Sequence, residues 1–328
     1  MIISRTPLRV SFFGGGTDYP AYFRRHGGET LVTTINKYLT VSVHDLADLF
    51  EHRIQVHYSR VESVAAVDDI EISVVRETLR HLAIAGGVEI HLVGDIPART
   101  GLGNSSATTV GLLTALHAYL GHPAGRSEIA AQAVWVEQSM IGETVGCQDQ
   151  YACAHGGFLH LSFTPDGTVK VDPVMIDERR LGELASHLML FYTGIQRHAN
   201  EVLGEQVRRT GTGELDGPLT QMRDHVGKAL RVLQGSGELA DFGRLLNESW
   251  QLKRVLSARV STAWLDGLYA KAQQAGALGG KLLGAGGGGF MLLFAEPECH
   301  DRLRDALAPL REVPFAFESG GTRLVFND

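Results

Sequence analysis

The sequence predicts a two-domain protein that mixes helices and strands, and three observations predict it. At 328 residues the chain can bury one large core or two medium ones, and two is the better expectation. The first half alternates strand-like and helix-like segments, while the second is mainly helical in spacing with a few short apolar runs. With 44% hydrophobic and 20% charged residues, the composition is that of an ordinary soluble globular protein.

In chain order, residues 8–13, 39–45, 54–58 and 88–93 suit strands, being short runs rich in apolar and β-branched residues. Residues 70–85 and 127–139 carry apolar side chains at helical spacing, and 108–120 reads as a helix after a run of small residues. A strand at 156–163 leads into a hairpin turn at Pro165-Asp166-Gly167. A boundary near 180–188 gives domains of 1–185 and 186–328. The second opens on a buried strand at 188–192, followed by helices at 201–209, 219–234, 239–256 and 262–274. Residues 211–217 read as a flexible loop, 290–294 as a strand, 300–310 as a helix, and 313–318 with 323–326 as a terminal hairpin.

Composition also excludes. A formal net charge of -7 favours neither nucleic acid nor an acidic membrane surface, so an anionic substrate would need a local cluster of basic residues. No run reaches the length of a membrane span, and the start lacks a signal-peptide apolar core. Cys147, Cys153 and Cys299 form no CxxC pair and no disulfide framework, which suits a reducing cytoplasm. Among 14 histidines, His52 with His57 and His155 with His160 have i,i+5 spacing, which points to opposite faces of a strand. No zinc site is expected. Oligomeric state is not legible in these residues.

Glycine is the outlier, with 39 residues and clusters at 14–16, 101–103 and 284–289. The segment Pro97-Ala-Arg-Thr-Gly101-Leu102-Gly103-Asn104-Ser105-Ser106-Ala107 lies between a strand and a helix start. Glycines there let backbone N–H groups approach phosphate oxygens, and the helix dipole adds positive potential. A dinucleotide fingerprint would need an acidic residue about twenty positions on, where this chain has Gly121-His-Pro-Ala-Gly125. The loop therefore reads as a phosphate cradle, the alternative being a helix start that is merely rich in small residues. Six small residues at 284–289 suit a backbone that approaches a ligand or another loop closely. Arg9 sits in a strand leading to Gly14, Gly15, Gly16, Thr17 and Asp18, and Glu137 and Asp149 are candidate acids, the latter in a small-residue loop. Phosphoryl transfer needs one carboxylate for Mg²⁺ and another near the attacking hydroxyl. Either acid alone would ordinarily be a surface charge.

Taken together, these motifs resemble the superfamily of galactokinase, homoserine kinase, mevalonate kinase and phosphomevalonate kinase, the GHMP kinases. Residues 9–19, 97–107 and 281–289 match its three motifs in order, and the resemblance spans essentially the whole chain. Within it, Gly14 to Asp18, the segment 190–197 and the segment 248–253 look like the bacterial heptose 7-phosphate kinases. The resemblance implies a two-domain α+β fold: an N-terminal domain like the second domain of ribosomal protein S5, a ferredoxin-like C-terminal domain, and an active site between them. It implies that Pro97, Gly101, Leu102, Gly103, Asn104, Ser105, Ser106 and Ala107 hold the ATP phosphates. Ser105 or Ser106 would bind Mg²⁺ with Glu137. Asp149 would accept the sugar-hydroxyl proton, held ionised by Arg9. Gly15, Gly16, Thr17 and Asp18 would contact the sugar, with Gly286 and Gly287 approaching from the third motif. Mevalonate-kinase-like loops lack Asn104, which leaves open which serine takes the metal. A distal substrate phosphate would need further cations, with Arg24, Arg25, Arg197, His198 and Lys253 as candidates.

The implied activity is ATP- and Mg²⁺-dependent phosphorylation of the C1 hydroxyl of a heptose 7-phosphate, feeding surface polysaccharide. The alternatives are another anomeric sugar kinase, acting on fucose, galactose or a uronic acid, and a non-catalytic sensor of sugar and ATP. A sensor would be expected to lack Arg9, Glu137 or Asp149, and all three are present.

Overall fold

The computed structural model describes residues 1–196, 199–235 and 237–328, with the side chains of 199–202 left aside. Its first sheet is built around two long neighbours, β1 (Ile2–Phe13) and β2 (Gly28–Asp45), linked by helix α1 (Pro20–His26). Next come β3 (Ile54–His57), β4 (Val61–Val64), α2 (Ser73–His81) and β5 (Val88–Gly94). Strand β2 pairs antiparallel with β1 and β5, and β3 pairs parallel with β5. Helix α3 (Asn104–Tyr119) packs against β1 and β2. Helix α4 (Arg126–Trp135) runs on into a π-helical stretch, Val136–Ile141. Helix α5 (Gln148–His155) then precedes the hairpin of β6 (Phe158–Phe163) and β7 (Val169–Pro173), and β6 also joins β2.

Helix α6 (Glu178–His187) begins at Asp177, whose carboxylate accepts from the amides of Arg179 and Arg180, a conventional N-cap. Strand β8 (Leu188–Tyr192) opens a second sheet. It is followed by α7 (Ala199–Gly211), α8 (Asp216–Gln234), α9 (Ala240–Arg254), α10 (Ala263–Gln274), β9 (Ala277–Leu282), β10 (Phe290–Ala295), α11 (His300–Ala306) and β11 (Arg311–Glu312). The strand order is β11-β8-β10-β9. Every residue of β10 is buried, as expected of a central strand with apolar residues on both faces.

The last two strands correct a sequence expectation. Residues 313–326 do not close a hairpin: β12 (Phe317–Glu318) pairs with β2, and β13 (Arg323–Asn327) pairs with β1. Both termini therefore meet in the first sheet. The missed elements are the first halves of β1 and β2, strands β4, β9 and β11, and helices α1, α5 and α6. One apolar cluster runs through both halves of the chain, and Phe242 of α9 marks the junction. Its ring meets those of Phe12 and Phe13 edge-on at 5.3 and 5.0 Å. Buried aromatic contacts of this kind contribute about 0.5–1.5 kcal/mol beyond area burial.

Candidate active site

The three glycine clusters converge on one cleft of about 580 Å³. Gly15 and Gly16 of the first cluster line it, with Gly101 and Gly103 of the second and Gly284, Gly286 and Gly288 of the third. The second and third lie backbone against backbone. Gly101 has φ +84, and a Cβ there would stand 2.4 Å from the Leu283 carbonyl oxygen. The amide of Phe290 donates to the Thr100 carbonyl at 3.1 Å, tying the two loops together. Gly103, in the left-handed region, leads into α3, so this helix presents its N-terminus to the cleft.

Arg9 and Asp149 meet in a two-pronged ion pair across this floor. Arg9 Nε donates to Asp149 Oδ1 at 2.7 Å and Nη2 donates to Oδ2 at 2.5 Å. Arg9 Nη1 also donates to the Gly101 carbonyl at 2.6 Å, and its amide to the Leu102 carbonyl at 2.9 Å. The arginine is buried, whereas the Asp149 side chain keeps 23% of its surface open to the cleft. Asp149 was expected in a loop; it stands instead in the first turn of α5, where a carboxylate is favoured by the helix dipole.

Glu137 is built differently. It follows α4 into the π-helical stretch, a distortion frequent at functional sites. Its carboxylate is fully buried and accepts from Thr109 Oγ1 at 2.7 Å, Ser106 Oγ at 3.0 Å and Gln150 Nε2 at 2.7 Å. Burial pushes its pKa up to about 7, against the downward pull of these hydrogen bonds. Gln150 Oε1 is buried beside it with no hydrogen-bond partner. A buried carboxylate with hydroxyl and amide oxygens at hand, and no cationic partner among the described residues, suits a hard divalent cation such as Mg²⁺. Ser106 reaches Glu137, while Ser105 stands exposed on the cleft side of the same turn.

Other expected residues sort plainly. Asp18 lines the cleft, accepts from the Gly16 amide at 2.9 Å, and is pushed up to about 6 by burial. Thr17 does not reach the cleft: its hydroxyl bonds the carbonyls of Gly14 and Glu29, fixing the turn. Gly287 also stays behind the surface, its amide donating to Val260, whereas Gly286 lines the cleft. Pro97, Leu102 and Ala107 support the 97–107 loop from outside the lining, with Leu102 and Ala107 fully buried. Asn104 lines the cleft.

The cations proposed for a distal phosphate fare worse. Arg24 is exposed on α1 and does not line the cleft, and Arg25 is paired with Asp216 at 2.8 Å. Arg197 and His198 lie outside the described residues. Lys253 lines the cleft, but its ammonium donates to the carbonyls of Leu282, at 3.0 Å, and Gly284. Burial, reinforced by nearby Arg9, pulls its pKa down to about 7. A second buried lysine, Lys281, donates to the Phe12 carbonyl and had not been singled out. Thr109, Gln148 and Gln150 were missed too. Gln148 accepts from Ser11 at 2.7 Å, and both glutamines flank Asp149, so recognising α5 would have found them. At its far end the cleft is apolar, lined by Leu39, Tyr58, Ile72, Val74, Leu92 and Ile96.

Comparison with known proteins fits this geometry. The family description "GHMP kinases N terminal domain" matches residues 69–157, and "GHMP kinases C terminal" matches residues 228–310. The chain is 32% identical over 308 residues to a D-glycero-alpha-D-manno-heptose 7-phosphate kinase of Campylobacter jejuni, covering 90% of each. It is 25% identical to an L-fucokinase/L-fucose-1-P guanylyltransferase of Bacteroides fragilis, covering 94% of this chain and 36% of that protein. A crystal structure of a D-glycero-D-manno-heptose 1-phosphate kinase from Bacteroides thetaiotaomicron superposes with a TM-score of 0.79, at 25% identity and 99% coverage of both chains.

Proposed function

The chain belongs to the GHMP kinase family and is a sugar kinase; from that premise we propose that it phosphorylates the anomeric hydroxyl of a heptose 7-phosphate. The observation that carries this reading is the Arg9–Asp149 pair opening onto the cleft between the phosphate loop and the turn at 14–18. The heptose relative, matched along nearly its whole length, supports the choice of sugar.

In this reading Asp149 takes the proton from the C1 hydroxyl. An anomeric hydroxyl is more acidic than an ordinary alcohol, so an ionised carboxylate is base enough. Arg9 grips both oxygens of Asp149 and aims them, and its third hydrogen bond ties that aim to the phosphate loop. The amides of 101–106 cradle the ATP phosphates, and the apolar end beyond Ile96 takes the base. Ser106 and Glu137 would hold Mg²⁺, which when bound neutralises charge on the transferring phosphoryl group. Asp18, with the backbone of Gly15 and Gly16, orients the sugar hydroxyls. Most of the acceleration comes from positioning and charge neutralisation.

A panel of sugars and sugar phosphates in a coupled ATPase assay tests the reading. Heptose 7-phosphate is expected to exceed unphosphorylated heptose, fucose and galactose in kcat/KM by about tenfold or more, since charge-assisted contacts contribute about 1.5–3 kcal/mol. Equal rates with and without the C7 phosphate would refute a dedicated phosphate contact.

A further inference from the structure

On the sheet face opposite the cleft, three histidines from three strands surround one carboxylate. His44 of β2, His57 of β3 and Glu89 and His91 of β5 project from the same face, because the registers place His44 opposite Glu89 and His57 opposite His91. The alternate residues Val43, Val56 and Ile90 point into the core. No sequence spacing reveals this group, since its members come together only through strand pairing.

All three imidazoles turn Nε2 toward Glu89. His91 Nε2 lies 2.7 Å from Oε1, His57 Nε2 3.2 Å from Oε1, and His44 Nε2 3.6 Å from Oε2. The one nitrogen, oxygen and nitrogen offered by His44, Glu89 and His91 fall within 4.8 Å of one another. His44 Nδ1 faces the Asp45 carbonyl at 3.1 Å. A carbonyl only accepts, so Nδ1 carries a proton toward it, and Nε2 is the ring nitrogen left facing Glu89. At 3.6 Å, Nε2 and Oε2 stand too far apart for a hydrogen bond and leave a gap that a cation would fill. Ligand atoms about 2.0–2.1 Å from a tetrahedral ion stand roughly 3.4 Å apart, close to the His44–Glu89 separation. His57 Nε2 is buried and lacks a hydrogen-bonding geometry to any acceptor, while its ring stacks on His91 at 4.1 Å with planes 5° apart.

We propose that His44, Glu89 and His91 form a binding site for a divalent transition metal of the zinc type, with His57 bracing His91. Two imidazoles and a carboxylate are a donor set of borderline softness, suited to Zn²⁺ rather than to Mg²⁺. The site is partly open to solvent, so an ion enters without unfolding the sheet. A fourth position is left to water. It is separate from Glu137 and Ser106, which lie on the cleft side.

Cobalt(II) substitution tests this on the full chain in excess Mg²⁺, which keeps the Glu137 site occupied. One equivalent of Co²⁺ is expected to give the intense visible absorption of a tetrahedral nitrogen–oxygen set, and Zn²⁺ but not added Mg²⁺ should abolish it. His44→Ala and His91→Ala should each lose the absorption while keeping sugar-kinase activity, which shows that they fold. His57→Ala should keep the band but weaken affinity by about tenfold, as loss of a supporting partner does. Absorption no stronger than that of aqueous Co²⁺, or a band surviving in both ligand variants, would overturn the site and leave a hydrogen-bonded histidine cluster.

Discussion

The two carboxylates of the proposed site are held in opposite ways. Asp149 has its cation built in: Arg9 grips both oxygens, and part of the side chain stays open. Glu137 is sealed from solvent and surrounded only by neutral donors, with burial raising its pKa to about 7. The difference teaches which charge the protein supplies and which it borrows. A paired carboxylate is held and aimed by the protein itself. An unpaired buried one costs stability until an external cation arrives.

The largest expected effect comes from removing the base. Asp149→Asn should lower turnover by about 10²–10⁴-fold, the usual contribution of general-base catalysis. Calorimetry should find ATP binding unchanged in the same variant; turnover like that of the unaltered chain would end the base assignment.

The second comparison point is Glu137→Gln. Turnover should fall with the loss of the metal contact, but stability should move the other way. An acid whose folded pKa lies above its ordinary value of 4.5 stabilises the fold fully below that value. That contribution is lost as pH rises through about 7. At pH 8 without Mg²⁺, Glu137→Gln should therefore melt at or above the temperature of the unaltered chain. Added Mg²⁺ should raise the melting temperature of the unaltered chain only. A variant that melts lower at pH 8 in metal-free buffer would show that the buried charge is compensated in some other way.

A smaller effect probes the contact between the two glycine loops, one of which Arg9 grips through Gly101. Gly101→Ala places a Cβ 2.4 Å from the Leu283 carbonyl in a left-handed backbone. Strain of this kind costs about 1–3 kcal/mol, and the loss should appear as a lower melting temperature with kcat reduced more than ATP affinity. The same substitution at Gly217, where a Cβ meets nothing within 4 Å, should leave both unchanged.

Much of this site was legible because its chemistry is written in local runs. The glycine clusters, Arg9 in its strand and the helix start after Gly103 each occupy a few consecutive residues. In the fold the three clusters share one cleft. What escaped notice depends on distant pairing. Helix α5 is only eight residues long, from Gln148 to His155, too short for apolar periodicity to declare it. Its neglect hid Gln148 and Gln150. The closing strands β12 and β13 looked like a hairpin because they are adjacent in sequence, yet their partners are β2 and β1, far back in the chain. Thr17 looked like a sugar contact for the opposite reason. It sits in the motif, but its hydroxyl is used up by two backbone carbonyls.

The most direct test of the central claim is where the phosphate goes. Heptose 7-phosphate, ATP and Mg²⁺ should yield a product whose new phosphorus resonance couples to the anomeric proton, with one ADP formed per sugar phosphorylated. Phosphate on any other carbon, or ADP released without a phosphorylated sugar, would contradict the account.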